Sequence, residues 1–430
     1  MSRLCVHMFP ISPDYSGAAS ALFDLGGIAV MHDASGCTGN YTGYDEPRWL
    51  GSRTAVYCSG LRRMDAVLGN DEKYIRRTVR AAKELDPSVI CLLGSPVPIL
   101  IGADLQGMAR EIEEETGIPS FGFGTSGQGY YDKGASDVFL ALTKRFCRLD
   151  SADLLKEKRS SGAAGKEALR VNLLGMLPLD FGNQGNIEEI STFLEANGME
   201  ILANYAYGLK LDRIRRAALA DWNLVMSRSG LKLAEYMEAK FGIPYFCGVP
   251  AGDGRLFLEE FHNIRQAREE WMAEPSENKR AESFSAAYRN TVGENAKARN
   301  VNAGREGRKE ILIIHEQVFA NSLRKLLEQN RPELVVRVGS LVGLDPSLKR
   351  EGDLDLNLEE DLVRELNSGT FGAVIGDPEL ARVIRGRDPV LIPLPHVAVS
   401  SKLHWEEYPS WLGSELPARL QRAAESVREQ

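Results

Sequence analysis

The feature that most constrains the fold is a regular alternation of short apolar runs with amphipathic stretches of helical length. Residues 88–94 form an apolar run that is typical of a buried strand. Residues 104–117 follow, with apolar side chains at 105, 108, 109 and 112, which lie on one face of a helix. A second apolar run, 118–123, comes next. Strands that alternate with helices predict a parallel sheet joined by crossover helices.

The same alternation recurs twice more along the 430 residues. We therefore predict an α/β protein with three Rossmann-like units, each a parallel sheet flanked by helices. A polar stretch, 156–166, and a charged segment, 266–308, separate the units. The charged segment is predicted to be solvated helical structure, with a partner-docking surface as the alternative. The predicted domains are 1–165 with the N-terminal unit, 166–307 with the second unit and the charged segment, and 308–430 with the third.

Composition excludes several classes of function. The formal net charge is -8 with no basic stripe, which argues against nucleic acid and against an anionic membrane surface as partners. The sequence contains no run of about 18 apolar residues, so no membrane-spanning helix is predicted. The first residues lack the apolar core of a signal peptide. Six cysteines without CxxC spacing indicate reduced thiols and a cytoplasmic protein. Neither GxGxxG after a first strand nor GxxxxGK[ST] is present, so dinucleotide and P-loop sites lack their phosphate cradle.

Cys37 is the most informative of the cysteines. It ends the segment His32-Asp33-Ala34-Ser35-Gly36-Cys37, directly after an apolar run at 27–31. A thiol in a glycine-containing turn after a buried strand is well placed to hold a metal cluster, which usually takes four thiolates. Cys91 lies inside an apolar run and Cys147 follows a helical pattern, so both are interpreted as packing residues.

Several short motifs, which occur along the chain in the family's order, resemble those of the nitrogenase component 1 family. This family includes cofactor-assembly scaffolds and dark-operative tetrapyrrole reductases. Residues 31–37 resemble the HGPxGC cluster turn, and residues 57–70 resemble the segment that ends in DxVFGG. Residues 95–105 resemble CPxxxIGDDI, and residues 248–252 fit a GxPxG turn. Residues 223–227 and 241–244 resemble the strand-helix-strand of the second family domain. The resemblance covers most of the chain and implies three Rossmann-like domains.

The departures from the family pattern bear on the cofactor. Family subunits with a full cluster-binding half carry three cysteines, and two of these positions fall on Pro13 and Ser95 here. The resemblance implies an iron–sulfur cluster, of the 4Fe-4S type, at a subunit interface. Cys37 and Cys58 are the best remaining candidates for its thiolate ligands, because the strand-loop-strand pattern between them can return Cys58 to the same edge of the sheet. Two thiolates per chain complete a four-ligand site when two chains meet. Further candidates are Cys5, which lies near Pro13, the carboxylates of Asp14 and Asp33, and His32 as a hydrogen-bond donor to a cluster sulfur. The alternative is that Cys37 and Cys58 are structural thiols.

A pocket for substrate or cofactor is expected among the three units, where parallel strands end. The predicted binding residues are Ser227, Arg228, Cys247 and His396. Ser227 stands where the family anchors the nitrogenase cofactor by a thiol, so a nitrogen-reducing cofactor of the usual kind is not expected. The glycine-rich loop 124–129 is either an anion-binding loop or a plain connection, and the aromatic residues 404–411 are expected to close the third unit.

Three functions follow from the resemblance and its departures. The first is a reductase subunit that takes electrons from an ATP-dependent partner resembling the nitrogenase iron protein and passes them to a small-molecule or tetrapyrrole-like substrate. Its other partner is a second copy of itself or a paralogous component 1 subunit. The second is a non-catalytic scaffold or carrier for a metallocluster or cofactor precursor. The third is a small-molecule binding protein without a cluster.

Overall fold

The computed structural model describes residues 6–8, 11–49, 55–149, 168–182, 184–273, 284–285, 310–386 and 389–427. Within these residues the chain forms three parallel sheets, each flanked by helices. The predicted fold class is confirmed. The predicted domain boundaries at 165 and 308 fall outside the described residues, as does most of the charged segment, and they stay predictions.

The first sheet contains β1 (Ile28–Met31), β2 (Ala55–Cys58), β3 (Ile90–Leu93) and β4 (Ser120–Phe123). The strands are parallel and lie in the order β2-β1-β3-β4. The helices of this unit are α1 (Asp14–Leu22), α2 (Gly36–Asn40), α3 (Arg63–Leu68), α4 (Asp71–Leu85), α5 (Pro96–Leu100), α6 (Leu105–Thr116) and α7 (Tyr131–Phe146).

Alternate residues of each strand point to opposite faces of this sheet. Ile28 and Val30 of β1 pack against α4 and α6 on one face, whereas Ala29 and Met31 pack into a second core that includes α1 and α7. Helix α6 matches the helix predicted at 104–117. Asp104 caps its first turn by accepting a hydrogen bond from the backbone N–H of Gly107 at 2.9 Å, and Gly117 ends it with a φ of 72°.

Helices α1 and α7 cross at close range because a glycine lies on each helix at the crossing. A Cβ atom added to Gly17 would lie 1.8 Å from the backbone oxygen of Tyr131, and one added to Gly134 would lie 1.8 Å from that of Asp14. Such distances leave room for hydrogen only. The crossing holds the start of α7 against the start of α1, and α7 also packs against the second unit.

The second sheet contains β5 (Leu169–Leu174), β6 (Met199–Tyr205), β7 (Trp222–Val225) and β8 (Tyr245–Cys247) in the order β6-β5-β7-β8. Its helices are α8 (Pro178–Phe181), α9 (Gln184–Ala196), α10 (Leu211–Arg216), α11 (Leu231–Phe241) and α12 (Arg255–Ala273). The third sheet contains β9 (Glu310–Ile314), β10 (Val336–Ser340), β11 (Leu354–Asp355), β12 (Phe371–Gly376) and β13 (Val390–Pro393) in the order β11-β10-β9-β12-β13. Its helices are α13 (Gln317–Asn330), α14 (Glu359–Leu366), α15 (Val397–Ser400) and α16 (Glu415–Ser426).

The second and third units share one hydrophobic core. Trp411, which is 1 % exposed, stacks on Phe319 with the ring centroids 3.6 Å apart and contacts Phe181 of the second unit at 4.7 Å. The aromatic residues near the C-terminus therefore pack between two units rather than closing the third alone. In the part of the chain that the structure describes, no helix has the length and apolar character needed to cross a membrane.

Candidate functional site

The turn after β1 is organised by one carboxylate. One side-chain oxygen of Asp33 accepts hydrogen bonds from the backbone N–H groups of Ser35 at 3.0 Å, Cys37 at 2.8 Å and Thr38 at 3.3 Å. Ser35 has a φ of 148°, which is a rare conformation for a residue with a side chain and a form of local strain. The carboxylate thus holds Cys37 at the carboxyl edge of the first sheet, as the sequence predicts for a strand-end turn.

The Cys37 thiol has three polar neighbours. The side chains of Tyr15, Asp33 and Ser95 all lie within hydrogen-bonding reach of it. Burial raises the pKa of the Cys37 thiol and the charge of Asp33 raises it further, while hydrogen bonds from Tyr15 and Ser95 act in the opposite direction. The side chain is nevertheless only partly buried. The thiol is therefore protonated near neutral pH and reaches the protein surface.

Of the two positions at which the resemblance places family cysteines, Ser95 lies beside Cys37. Ser95 follows β3, and its hydroxyl donates to the backbone oxygen of His32 at 2.8 Å. Pro13 begins α1 two residues before Tyr15 and pairs in antiparallel fashion with Tyr130. The Ser95 hydroxyl and the Tyr15 phenol thus both lie beside the Cys37 thiol.

Cys58 ends β2, opposite Met31 of β1. Its sulfur lies 3.2 Å from the backbone oxygen of Asp33 and accepts a hydrogen bond from the N–H of Gly60 at 3.3 Å. Cys37 and Cys58 are thus both in contact with Asp33, on the same edge of the sheet. Among the described residues, no group of three or more His, Cys, Asp or Glu side chains is arranged to hold a metal ion.

The other candidate ligands have partners of their own. The Asp14 carboxylate accepts hydrogen bonds from the N–H groups of Ser126 and Gly127, the latter at 2.7 Å, so the glycine-rich loop binds an anion that belongs to the chain itself. His32 stacks on Tyr74 with the centroids 4.4 Å apart, and its Nδ1 lies 2.9 Å from the Ser59 hydroxyl. Cys91 and Cys147 are buried, and Cys5 lies outside the described residues.

Large apolar side chains are exposed in several segments of the first unit. The segments that follow β1, β2 and β3 all leave large apolar groups exposed, with Leu68 72 % and Leu100 86 % exposed. Exposed apolar side chains that gather in one region mark an interaction site. We call this surface the edge patch, and it consists of Tyr44, Tyr57, Met64, Val67, Leu68, Val97, Ile99, Leu100 and Ile101.

A second polar cluster lies where the three units meet. Arg228, just after β7, donates through Nη2 to Asp132 of the first unit at 2.6 Å and to the backbone oxygen of Val342 in the third unit at 2.9 Å. Its backbone N–H donates to the carboxylate of Glu316, which follows β9, at 2.8 Å. One predicted binding residue thus connects all three units.

His396, another predicted binding residue, belongs to the same cluster. Its Nε2 lies 3.3 Å from the Tyr131 hydroxyl and 3.3 Å from Oδ1 of Asp180, and Tyr131 donates to that same oxygen. Burial raises the pKa of Asp180 to about 7, and burial together with the charge of Asp180 raises the pKa of Glu316 to about 8. Burial lowers the pKa of His396 to about 3. The cluster therefore holds neutral acids beside a neutral imidazole near pH 6, and can release protons at slightly alkaline pH.

The residues at this junction do not fit a cofactor that is ligated by a thiolate and an imidazole. Ser227 is fully buried, and its hydroxyl donates to the backbone oxygen of Gly175 at 2.6 Å and lies 2.7 Å from the Ser229 hydroxyl. A Cβ atom added to Gly175 would lie 2.6 Å from the Ser227 hydroxyl, so the two segments are in tight contact. His396 is engaged by Tyr131 and Asp180. The departure that the sequence shows at Ser227 is thus matched by close packing.

Cys247 lies at the end of β8, beside Val225 of β7. It lines a cavity between the second and third units, and none of Ser227, Arg228 and His396 is among the described residues of that lining. Of the four predicted binding residues, the structure therefore brings three together and places Cys247 elsewhere.

Sequence reasoning missed Tyr15, Asp132, Asp180 and Glu316. A signal was present for two of them. Asp180 stands in an apolar segment shortly after β5, and Glu316 stands two residues after β9. An acidic residue at such a strand end points into the space between units. Nothing local to Tyr15 or Asp132 indicates their contacts, which depend on the crossing of α1 and α7.

Comparison with known proteins decides the family. The model of the nitrogenase component 1 type oxidoreductase family matches residues 13–336, which is most of the chain. The chain belongs to this family. The resemblance of the strand-end phrases is thereby confirmed.

Individual relatives fall into two functional groups. The chain is 27 % identical over 241 residues to the nitrogenase iron-molybdenum cofactor biosynthesis protein NifE of Methanosarcina barkeri, covering 54 % of this chain and 50 % of that protein. It is 24 % identical over 349 residues to one of the subunits of the light-independent protochlorophyllide reductase of Nostoc punctiforme, covering 76 % of this chain and 62 % of that protein. The chain spans about half the length of the curated relatives it matches most strongly.

The fold is also similar to a solved nitrogenase structure, "Nitrogenase Cp1 at pH 5". The TM-score is 0.62 at 17 % identity, with 99 % of this chain and 89 % of that chain covered. At this identity the likeness concerns the fold alone, and it agrees with the three parallel sheets.

Proposed function

We propose that this family member holds an iron–sulfur cluster between two subunits, with Cys37 as a ligand from each. The observation that carries the proposal is a partly exposed cysteine at a strand-end turn, in the same unit as the exposed apolar residues of the edge patch. A second copy of the chain, or a paralogous subunit, would cover the patch and bring further thiolates. Cys58 is the second ligand candidate, because it shares the contact with Asp33.

In this role the chain is a reductase subunit. Electrons come from an ATP-dependent reductase partner resembling the nitrogenase iron protein and pass through the cluster to a small-molecule or tetrapyrrole-like substrate. The chain's own residues position the cluster: Asp33 orients the turn, and apolar side chains exclude water from the interface. Ser227, Arg228, His396 and Cys247 remain proposed binding residues, although the packing at Ser227 argues against a thiolate-anchored cofactor there.

The test is the iron and sulfide content of protein purified without oxygen. Wild-type chain should carry iron as a dimer or larger assembly, with the visible absorption of an iron–sulfur cluster. Cys37→Ala should lose that absorption, because it removes one ligand from each chain. Cys91→Ala is the matched control and should keep it, since that thiol is 1 % exposed within β3. Cys58→Ala decides whether the second thiolate is used.

The interface is tested separately through the edge patch. Leu100→Asp places a charge at its most exposed apolar residue and should give a monomer without iron. Met272→Asp adds the same charge at an exposed apolar position on α12, and should leave assembly and iron unchanged. Iron-free wild-type protein, or a Cys37→Ala variant with full iron content, would rule the proposal out.

A scaffold role is the second candidate, and one observation favours it. Ser227 offers a hydroxyl near the position at which the resemblance implies a thiolate to anchor a resident cofactor. Such a protein would hold a cluster loosely and transfer it. Turnover of a substrate with a reductase partner supports the enzyme, whereas transfer of iron to an acceptor protein without turnover supports the scaffold.

A further inference from the structure

A separate cavity lies between the second and third units, away from Cys37 and from the three-unit junction. Its volume is about 120 Å³. It is bounded by the end of β8 and by α12 on one side, and by α13 and the segment 347–350 on the other. Since one water molecule occupies about 30 Å³ in the liquid, the space is suited to a small molecule rather than to a single water.

The wall of this cavity is cationic. Arg324, Lys325, Lys349 and Arg350 all line it, and none of the described lining residues is acidic. Each cation forms an ion pair with a carboxylate that does not line the cavity. Arg324 pairs with Asp353 at 2.5 Å and Lys325 with Glu260 at 2.8 Å. Lys349 pairs with Asp355 at 2.7 Å and Arg350 with Glu328 at 2.9 Å. The carboxylates thus hold the cations in place while the cavity itself has only positive groups.

Arg324 is a buried cation with an unsatisfied hydrogen-bond donor. It is 2 % exposed. Nη1 donates to Asp353 and Nη2 donates to Asn321, but Nε has no hydrogen-bond partner among the described residues. A buried charged donor without a partner is costly. Burial lowers the pKa of Arg324 and the nearby charge of Arg350 lowers it further, so two guanidinium groups repel each other beside the cavity.

The rest of the wall is apolar. Tyr245, Phe246, Ile264, Val318 and Leu348 line the cavity, and the Cys247 side chain reaches it as well. Inorganic phosphate would gain nothing from such surfaces, whereas an organic anion would bury its apolar part against them.

We propose that this cavity binds a small organic carboxylate, with the carboxylate among the four cations and the apolar part against the aromatic and aliphatic side chains. A ligand of this kind offsets the repulsion between Arg324 and Arg350. It also joins β8 of the second unit to α13 of the third. The site is independent of the proposed cluster, because no residue of the Cys37 turn contributes to it.

Calorimetric titration with benzoate tests the site, and benzamide is the neutral molecule of the same shape. Benzoate should bind at least about tenfold more tightly than benzamide, since a hydrogen bond to a charged group contributes about 1.5–3 kcal/mol and 1.4 kcal/mol is tenfold. Lys325→Gln and Arg350→Gln should each weaken benzoate several-fold. Arg80→Gln, at an exposed arginine paired with Glu84 on α4, should have no effect. Absence of benzoate binding, equal affinity for benzamide, or tighter binding of inorganic phosphate would overturn the proposal.

Cys247 provides a second measurement that needs no equilibrium binding. The ratio of its modification by anionic iodoacetate to that by neutral iodoacetamide is read by peptide mass spectrometry. A cationic wall raises the local concentration of the anion, so the ratio should fall at least about threefold in Arg350→Gln and stay constant in Arg80→Gln. Benzoate should slow both reagents at Cys247. A ratio that does not change in Arg350→Gln would show that the wall does not recruit anions.

Discussion

The buried acids at the three-unit junction predict a loss of stability at alkaline pH. Asp180 and Glu316 have pKa values of about 7 and about 8, both raised mainly by burial. A carboxyl group whose pKa is higher in the folded chain binds more protons when folded. Its stabilising contribution is complete below the unfolded pKa and is lost as pH rises through the folded pKa.

The other titratable groups that face Asp180 and Glu316 change their protonation little between pH 6.5 and 8.5. Burial lowers the pKa values of His315 and His396, so their contribution is lost as pH falls below about 6.5 and is nearly constant above it. Tyr131 has its pKa raised by burial and stays protonated. Asp132 forms an ion pair with Arg228. Among these groups the two carboxyl groups therefore give the largest change between pH 6.5 and 8.5, and the histidines oppose it.

The magnitude follows from the two pKa values. Integrating proton release from Asp180 and Glu316 between pH 6.5 and 8.5, and subtracting the small opposing term of the histidines, we expect a loss of about 2 kcal/mol in unfolding free energy. Asp180→Asn should remove part of this loss. It deletes one acid, and it also removes the charge that is the second cause of the raised pKa of Glu316.

The assay is urea unfolding at constant ionic strength across this pH range, followed by circular dichroism and by tryptophan fluorescence. Asp65→Asn is the control, because the hydrogen bond from Lys73 lowers the pKa of that exposed carboxyl and its titration ends below the window. A flat wild-type profile would refute the assignment of neutral acids to the junction. A slope that is the same in Asp180→Asn would refute the coupling between the two carboxyl groups.

Two further predictions concern the contacts between elements. Gly134→Ala should destabilise the chain by about 3 kcal/mol, because the added Cβ would overlap the backbone of Asp14. Gly124→Ala is the control and should be tolerated, because its Cβ would meet open space. Equal urea midpoints for the two variants would contradict the prediction. Arg228→Met should cost about 3 kcal/mol by leaving Asp132 and two backbone oxygens of the third unit without their donor. A double-mutant cycle with Asp132→Asn should show a combined cost below the sum of the single costs, and strict additivity would contradict the direct pairing.

Local pattern was enough to predict the fold class. Each apolar run is short, each helical stretch has one apolar face, and consecutive runs can pair in parallel only through a crossover. The helix at 104–117 was predictable to within a residue at each end because Asp104 and Gly117 are strong end signals. The apolar residues of 333–338 also predict a strand, but the observed β10 (Val336–Ser340) begins later, because the residues before Val336 carry no signal that separates strand from connection.

The candidate site likewise has features that the sequence predicts and features that only the tertiary structure shows. Cys37 could be identified from sequence because the apolar run, the glycine and the thiol are neighbours in the chain. Its contacts with Tyr15 and Ser95 come from the packing of α1 and β3 around the turn, over separations that no local pattern encodes.

The sequence by itself determined the alternation of strands and helices, the position of the thiol at a strand end, and the absence of thiols at Pro13, Ser95 and Ser227. These properties depend on chemistry within a few residues. Only the tertiary structure decided that Tyr131, Asp180 and His396 meet at one junction, and that four cations share one cavity wall. Their contacts, and the pKa shifts that follow, arise because three separately folded sheets bury the same side chains against one another.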